Sequence, residues 1–215
     1  MPGAFPSKDL EHWYHQAHAN RPARLYRAPP LDTVVFGDAC ADGYAGVLAR
    51  RLAGGDWDVR LLQHRWDPAA KADFALKDSV VSEPLGTVRL LDETKNCTGV
   101  RHLHAVYVTD HEPFSYAHRK GYSPSPFYNA RVGDLKDRHP AVELEWSAGS
   151  TLIADKYSRF ERTELLAEDR SKAIDEATAI LGARNAGRPC IVGTWEGASA
   201  AAAASALPAG GQTRR

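Results

Sequence analysis

The stretch Val34-Val35-Phe36-Gly37-Asp38-Ala39-Cys40-Ala41-Asp42-Gly43 constrains this chain most. A β-branched and aromatic run stops at a small, acidic, glycine-flanked loop, which reads as a strand entering a turn. The segment Tyr44 to Leu52 reads as a helix, stopped by Gly54-Gly55. Strand, loop and helix in that order place backbone N–H groups and carboxylates at the C-terminal edge of a sheet.

Downstream, the pattern extends as an α/β alternation. Trp57 to Leu62 reads as a second strand near a sheet edge, and Ala69 to Leu76 as a short helix. Thr87 to Leu91 reads as a third strand ending at Asp92, and Ala105 to Thr109 as a fourth ending at Asp110. Strands separated by crossover segments predict an α/β fold: a parallel β-sheet sandwiched by helices. Residues 113–140, with Pro113, Pro124, Pro126, Gly121 and Gly133, read as a long irregular loop and a surface for a protein partner. Ser150 to Phe160 and Glu161 to Leu181 read as helical, and Ile191 to Trp195 as a last short strand. The expected organisation is therefore an irregular N-terminal arm over residues 1–30, an α/β domain over 31–196 and an Ala/Gly/Ser-rich tail over 197–215.

Composition narrows the function classes. Lys plus Arg equals Asp plus Glu at 27 each, so no global field draws the chain to nucleic acid or anionic membranes, although a local basic groove would not show in the sum. Three cysteines without a CxxC pair argue against a disulfide framework and a cysteine-built zinc site. No apolar run approaches the ~20 residues that span a bilayer. These features predict an intracellular protein, cytoplasmic by default, with an organelle left open. His12, His15 and His18 recur at i, i+3 spacing in the arm, a pattern that reads mainly as an exposed polar face.

Three acids end three of the expected strands: Asp42, Asp92 and Asp110. In a parallel sheet such ends lie side by side, and clustered carboxylates are relieved of mutual repulsion by a hard divalent cation. His111 adds a nitrogen beside Asp110, a donor better matched to Mn2+, Fe2+ or Zn2+ than to Mg2+. A single acid after a strand is equally well explained as a helix cap or a solvated loop residue.

The segment Phe36 to Gly43 resembles the first motif of the DHH phosphoesterase superfamily of exonucleases, oligonucleotide phosphodiesterases, exopolyphosphatases and manganese pyrophosphatases. Leu90-Leu91-Asp92 resembles its second motif, Val106 to Glu112 its third, and Ser147 to Leu152 the small-residue entry to the helix that follows. The departures are Phe36 for the first-motif His, Cys40 for its first Asp, Glu112 for the second His of the third motif, and no matching fourth motif or second domain.

Carried over by position, the resemblance implies a reduced site. Asp42, Asp92 and His111 are its expected metal ligands and catalytic residues; Asp110 orients His111, and Asp38 stands by as a supporting ligand. The implied cofactor is a divalent metal, foremost Mn2+, with Mg2+ or Zn2+ as alternatives and one ion or none bound. The implied partner is a phosphate-containing small molecule or short oligonucleotide. His102, His104, Arg119 and Lys120 are candidate phosphate contacts near the third motif. Two readings remain open: a metal-dependent phosphoesterase (phosphohydrolase), or a catalytically inactive DHH-like pseudo-enzyme serving as a structural or partner-binding subunit.

Overall fold

The computed structural model describes residues 29–69 and 78–186. The histidines of the arm, all but the first residue of the helix expected over 69–76, the strand expected over 191–195 and the low-complexity tail lie outside the described residues.

Three strands open the fold: β1 (Thr33–Ala39), β2 (Gly43–Arg51) and β3 (Trp57–Arg65). Helix α1 (Ser79–Thr98) leads to β4 (Ala105–Thr109), followed by α2 (Glu112–Lys120), α3 (Pro126–Arg138) and β5 (Val142–Trp146). A 3-10 turn (Gly149–Thr151) and the four-residue α4 (Asp155–Ser158) then lead to α5 (Ala167–Asn185). Among the described residues the sheet runs β3-β2-β1-β4-β5.

The α/β expectation holds; the all-parallel sheet does not. β1 pairs antiparallel with β2, and β2 with β3, whereas β1–β4 and β4–β5 are parallel. The departure begins at the opening motif: the segment after Gly43 is a strand, not a helix. A backbone hydrogen bond from Cys40 N to Gly43 O, at 2.9 Å, closes a hairpin turn around Ala41 and Asp42. β2 hides its period of two because both its faces are covered. Ala45, Val47 and Ala49 join the core on one side of the sheet, while Leu48 joins the core on the other. Without exposed polar residues at alternate positions, an apolar run carries no strand signature.

The opposite error occurs at Thr87–Leu91, a β-branched and leucine run inside the 20-residue α1. Buried Glu83, Thr87, Leu90, Leu91 and Thr94 follow helical spacing over a longer window than the run itself. Asp78 caps this helix by accepting from Val80 N at 3.0 Å, and Gly99 ends it with φ 66°. Residues 113–140 are likewise mostly helical. Pro113 and Pro126 fall in the first turns of α2 and α3, where a missing N–H costs nothing, and Ser125 caps α3. The helical pattern over 150–160 shortens to the 3-10 turn and α4.

The sheet divides two cores. On one face Val34, Phe36, Val47, Val106 and Val108 pack with Tyr157, Ala173, Ala177 and Leu181 from α4 and α5. On the other, Val35, Leu48 and Tyr107 pack with Leu90, Leu91, Phe114 and Leu135 from α1, α2 and α3. Each fully buried aliphatic or aromatic side chain contributes ~1.5–3 kcal/mol. At the far end Asn185 pairs with the Leu31 backbone through two hydrogen bonds, Nδ2 to the carbonyl at 2.8 Å and Oδ1 from the N–H at 3.0 Å. The last helix is thereby tied to the start of β1. Among the described residues no helix is long and apolar enough to cross a membrane.

Candidate metal centre at the strand ends

Antiparallel pairing with β2 leaves the C-terminal half of β1 beside the end of β4, and α1 crosses that edge. Three carboxylates meet there. Asp38 comes from β1, Glu83 from the second turn of α1 and Asp110 from the residue after β4; their oxygens lie within 4.8 Å of one another. The approach depends on Gly86, one turn beyond Glu83 on the same helix face. A Cβ at Gly86 would stand 2.7 Å from Ala39 Cβ, so its absence lets α1 close on β1.

Each carboxylate is held differently. Asp38, 5% exposed, accepts a hydrogen bond from Ser158 Oγ of α4. Glu83, 4% exposed, accepts from Ala39 N at 3.3 Å through Oε1. Its other oxygen, Oε2, is buried with no hydrogen-bond donor from the protein. Burial, then the charge of Asp38 and a hydrogen bond between the two carboxyls, push Glu83 up to about 10; burial likewise raises Asp38 and Asp110. Apposed carboxylates therefore retain a proton unless a cation replaces it. Gly149 completes the wall: a Cβ there would meet Asp110 Oδ2 at 2.5 Å.

The cluster opens into a groove of about 490 Å3 lined also by Asp42, Ser79, Ser82, Asp155 and Arg159. Asp155 begins α4 and its charge raises Asp38 and Asp110 further; Arg159 donates to Asp155 Oδ1 at 2.7 Å and opposes the rise at Asp110. An acidic triad of this kind can hold a divalent metal. It offers oxygen donors alone, the set preferred by hard cations.

Asp42, Asp92 and His111 are not brought together. Asp42 lies exposed in the β1–β2 turn at the groove rim. Asp92 falls in the middle of α1, where Arg138 donates to Oδ2 and His139 Nε2 lies 3.0 Å from Oδ1. It lines a different surface, with Arg89 and Lys95. His111 is buried against Tyr128, Nε2 to hydroxyl 2.9 Å, and burial lowers its pKa. Asp38 and Asp110, expected as supporting groups, instead stand in the cluster itself. Phe36 belongs to the core, and the Cys40 thiol donates to Ser158 O. His102 and His104 precede β4 at the end of the sheet opposite the cluster.

Glu83 and Asp155 were missed. Glu83 sits in Ser-Glu-Pro, which reads as a loop; the Asp78 cap followed by helical spacing from Glu83 to Thr94 was the available signal. For Asp155 the apolar run Leu152-Ile153-Ala154 before an acid was the comparable cue.

No protein-family model and no curated protein matches the sequence. Among solved structures, the chain is similar to LC11-RNase H1, isolated from compost by a metagenomic approach. The two share 12% identity, with 70% of this chain and 99% of that chain covered, at a TM-score of 0.39. The N-terminal RNase H domain of a Mycobacterium tuberculosis protein, fused to maltose-binding protein, shows 14% identity over 58% of this chain and 94% of that one, TM-score 0.41. LC11-RNase H1 in complex with an RNA/DNA hybrid shows 10% identity over 58% and 91%, TM-score 0.36. Scores this low say nothing of chemistry, for which this chain's own residues are the guide.

The DHH resemblance is nevertheless overturned. The helix expected after the first motif is strand β2, paired antiparallel with β1, and Asp92 of the second motif lies inside α1 rather than at a strand end. The reading as a DHH phosphoesterase, its inactive DHH-like alternative and the manganese pseudo-enzyme description fall with it.

Proposed function

We propose that this chain is a divalent-metal-dependent phosphodiester hydrolase that acts on nucleic acid. One observation carries the reading: Glu83 is buried with Oε2 facing no donor, at the meeting point of two further carboxylates. A buried carboxylate oxygen left without a partner costs about 1–3 kcal/mol or more, a cost expected where a ligand completes the site.

The proposed cation is Mg2+ or Mn2+, held by Asp38, Glu83 and Asp110, with Asp155 available at the rim. When bound there, a divalent cation supplies Lewis acidity to a phosphodiester and makes water more acidic. The chain's own residues do the rest. Ser158 fixes one oxygen of Asp38, and Ala39 N–H fixes Oε1 of Glu83, which holds both carboxylates in place at the cluster. Arg159, held against Asp155, sets a guanidinium at the groove rim, where its planar donors match phosphate oxygens. Burial of two of the three carboxylates keeps water from screening the field that they set.

An end-labelled RNA/DNA hybrid is the first substrate to test, with matched RNA and DNA duplexes beside it. Cleavage is expected with Mg2+ or Mn2+, none in chelator, and loss of roughly 100-fold or more in Asp38→Asn. Hydrolysis of a polynucleotide that persists in chelator, or in Asp38→Asn at the parent rate, overturns the assignment.

A further inference from the structure

Beside the carboxylates, the outer edge of the sheet carries an aromatic surface that the hydrolytic site does not use. Tyr116 on α2, Tyr122 in the turn after it and Trp146 at the end of β5 are 47%, 59% and 50% exposed. Single exposed aromatics are ordinary, but these three form one neighbourhood. Tyr116 and Trp146 line the same groove, of about 540 Å3, and the Lys120 ammonium lies 4.6 Å from the Tyr116 ring and 5.6 Å from that of Tyr122.

The rings are about half exposed, and Arg119 and Lys120 lie over those of the tyrosines. The Trp146 indole spends its polar edge on the Asp110 carbonyl at 3.1 Å, which orients the ring and ties it to the residue that supplies a cluster carboxylate. Tyr116 stands on a helix that Gly121 closes with φ 84°. Charge around the rings is sorted by pairing. Glu143 and Glu145 in the groove are bound by Arg184 at 3.2 and 3.0 Å. Arg119, Lys120 and Lys136 stand nearer the tyrosines: Arg119 lies 5.4 Å from the Tyr116 ring, and Lys136 lies against Gly121.

Accessible aromatic faces interleaved with cations recognise nucleobases that are not already paired and stacked, together with the phosphates between them. A duplex hides its base faces; an unpaired strand offers them. We propose that Tyr116, Tyr122 and Trp146, with Arg119 and Lys120, form a stacking platform for an unpaired single-stranded segment of a polynucleotide. The placement of the scissile phosphate at the carboxylates rests on the function proposed above; the platform itself does not.

The test uses the full chain, in chelator and at one salt concentration, with fluorescence anisotropy of a labelled twelve-nucleotide oligothymidine and of a blunt RNA/DNA hybrid of equal length. Stacking on an aromatic side chain predicts that Tyr116→Ala and Trp146→Ala each weaken oligothymidine binding about tenfold. Trp146→Phe, which keeps a π-face and loses the indole hydrogen bond, stays within about threefold of the parent. Tyr122→Ala, in an exposed turn, provides a substitution that leaves the fold untouched and weakens binding about fivefold. Blunt-hybrid binding moves less than about threefold in all four. Absence of oligothymidine binding by the parent, parental affinity in the alanine variants, or equal loss for both probes overturns the platform. Metal-dependent cleavage of the hybrid is scored separately, so either proposal can fail while the other stands.

Discussion

Glu83 and Asp92 stand on the same helix and face opposite fates. Glu83 is buried beside two like-charged groups and leaves one oxygen without a donor. Asp92 is half-buried and has both oxygens taken, one by Arg138 and one by His139, so it fastens the middle of α1 to the end of α3. The contrast separates a carboxylate whose oxygens the protein pairs from one that fits the proposed metal site. Asp92 has both oxygens bonded by side chains of α3 and its cap, whereas Glu83 is bonded by the backbone through Oε1 alone.

The strongest way to break this contrast is to exchange the charge at each position. Glu83→Gln is expected to abolish metal-dependent hydrolysis by roughly 100-fold or more. The same change is expected to raise the thermal midpoint of the metal-free protein at neutral pH, because Gln folds without the proton uptake that the buried Glu83 carboxyl requires. A midpoint that falls would mean that Glu83 is a structural acid like Asp92. Next in size, Gly149→Ala drives a methyl into Asp110 Oδ2 and is expected to weaken metal binding about tenfold, read by calorimetry, with little change in midpoint. Unchanged metal affinity would remove Asp110 from the ligand set.

Asp92→Ala tests the other side. It strands the 2%-exposed His139, whose Nδ1 already lacks a partner, and should cost about 1–3 kcal/mol in denaturant unfolding while the rate per folded molecule stays within about twofold.

The last test is a pH slope, small over any one pH unit. Folded Glu83 keeps its proton up to about 10, while the unfolded carboxyl loses it near its ordinary 4.5. The folded state therefore binds more protons in that interval. Its stability in chelator is full below the lower value and declines as pH rises toward the upper, by at most ~1.4 kcal/mol per pH unit. Saturating Mg2+ should flatten the slope; an equal slope with and without the ion would disconnect the cluster from metal.

Legibility in the sequence followed burial. β1 and β4 are legible as β-branched runs, β3 through Val59 and Leu61 alternating with Asp58 and Arg60, and Asp110 as an acid closing a strand. β2 and the middle of α1 exchanged identities. A strand covered on both faces has no alternation to show, and a helix of 20 residues contains short stretches that mimic a strand. That exchange also hid the site. Read as a strand, 87–91 puts Asp92 at a strand end and leaves Glu83 with no helix to stand on. Asp38 was in view but looked like a reserve for Asp42, because a hairpin two residues beyond it could not be told from a helix start. Convergence of residues 38, 83 and 110 is a property of the crossing of α1 over the strand ends, which no local pattern encodes.

The paired hydrogen bonds between Asn185 and Leu31 make the described fold a closed circuit, with its entry and exit held by one amide side chain. Both lie at the start of β1, whereas the carboxylates lie toward its other end. Seven residues of extended strand, about 3.3 Å each, separate the two, roughly 20 Å in all. The tie between Leu31 and Asn185 therefore closes the described fold at the end of the sheet remote from the carboxylate groove.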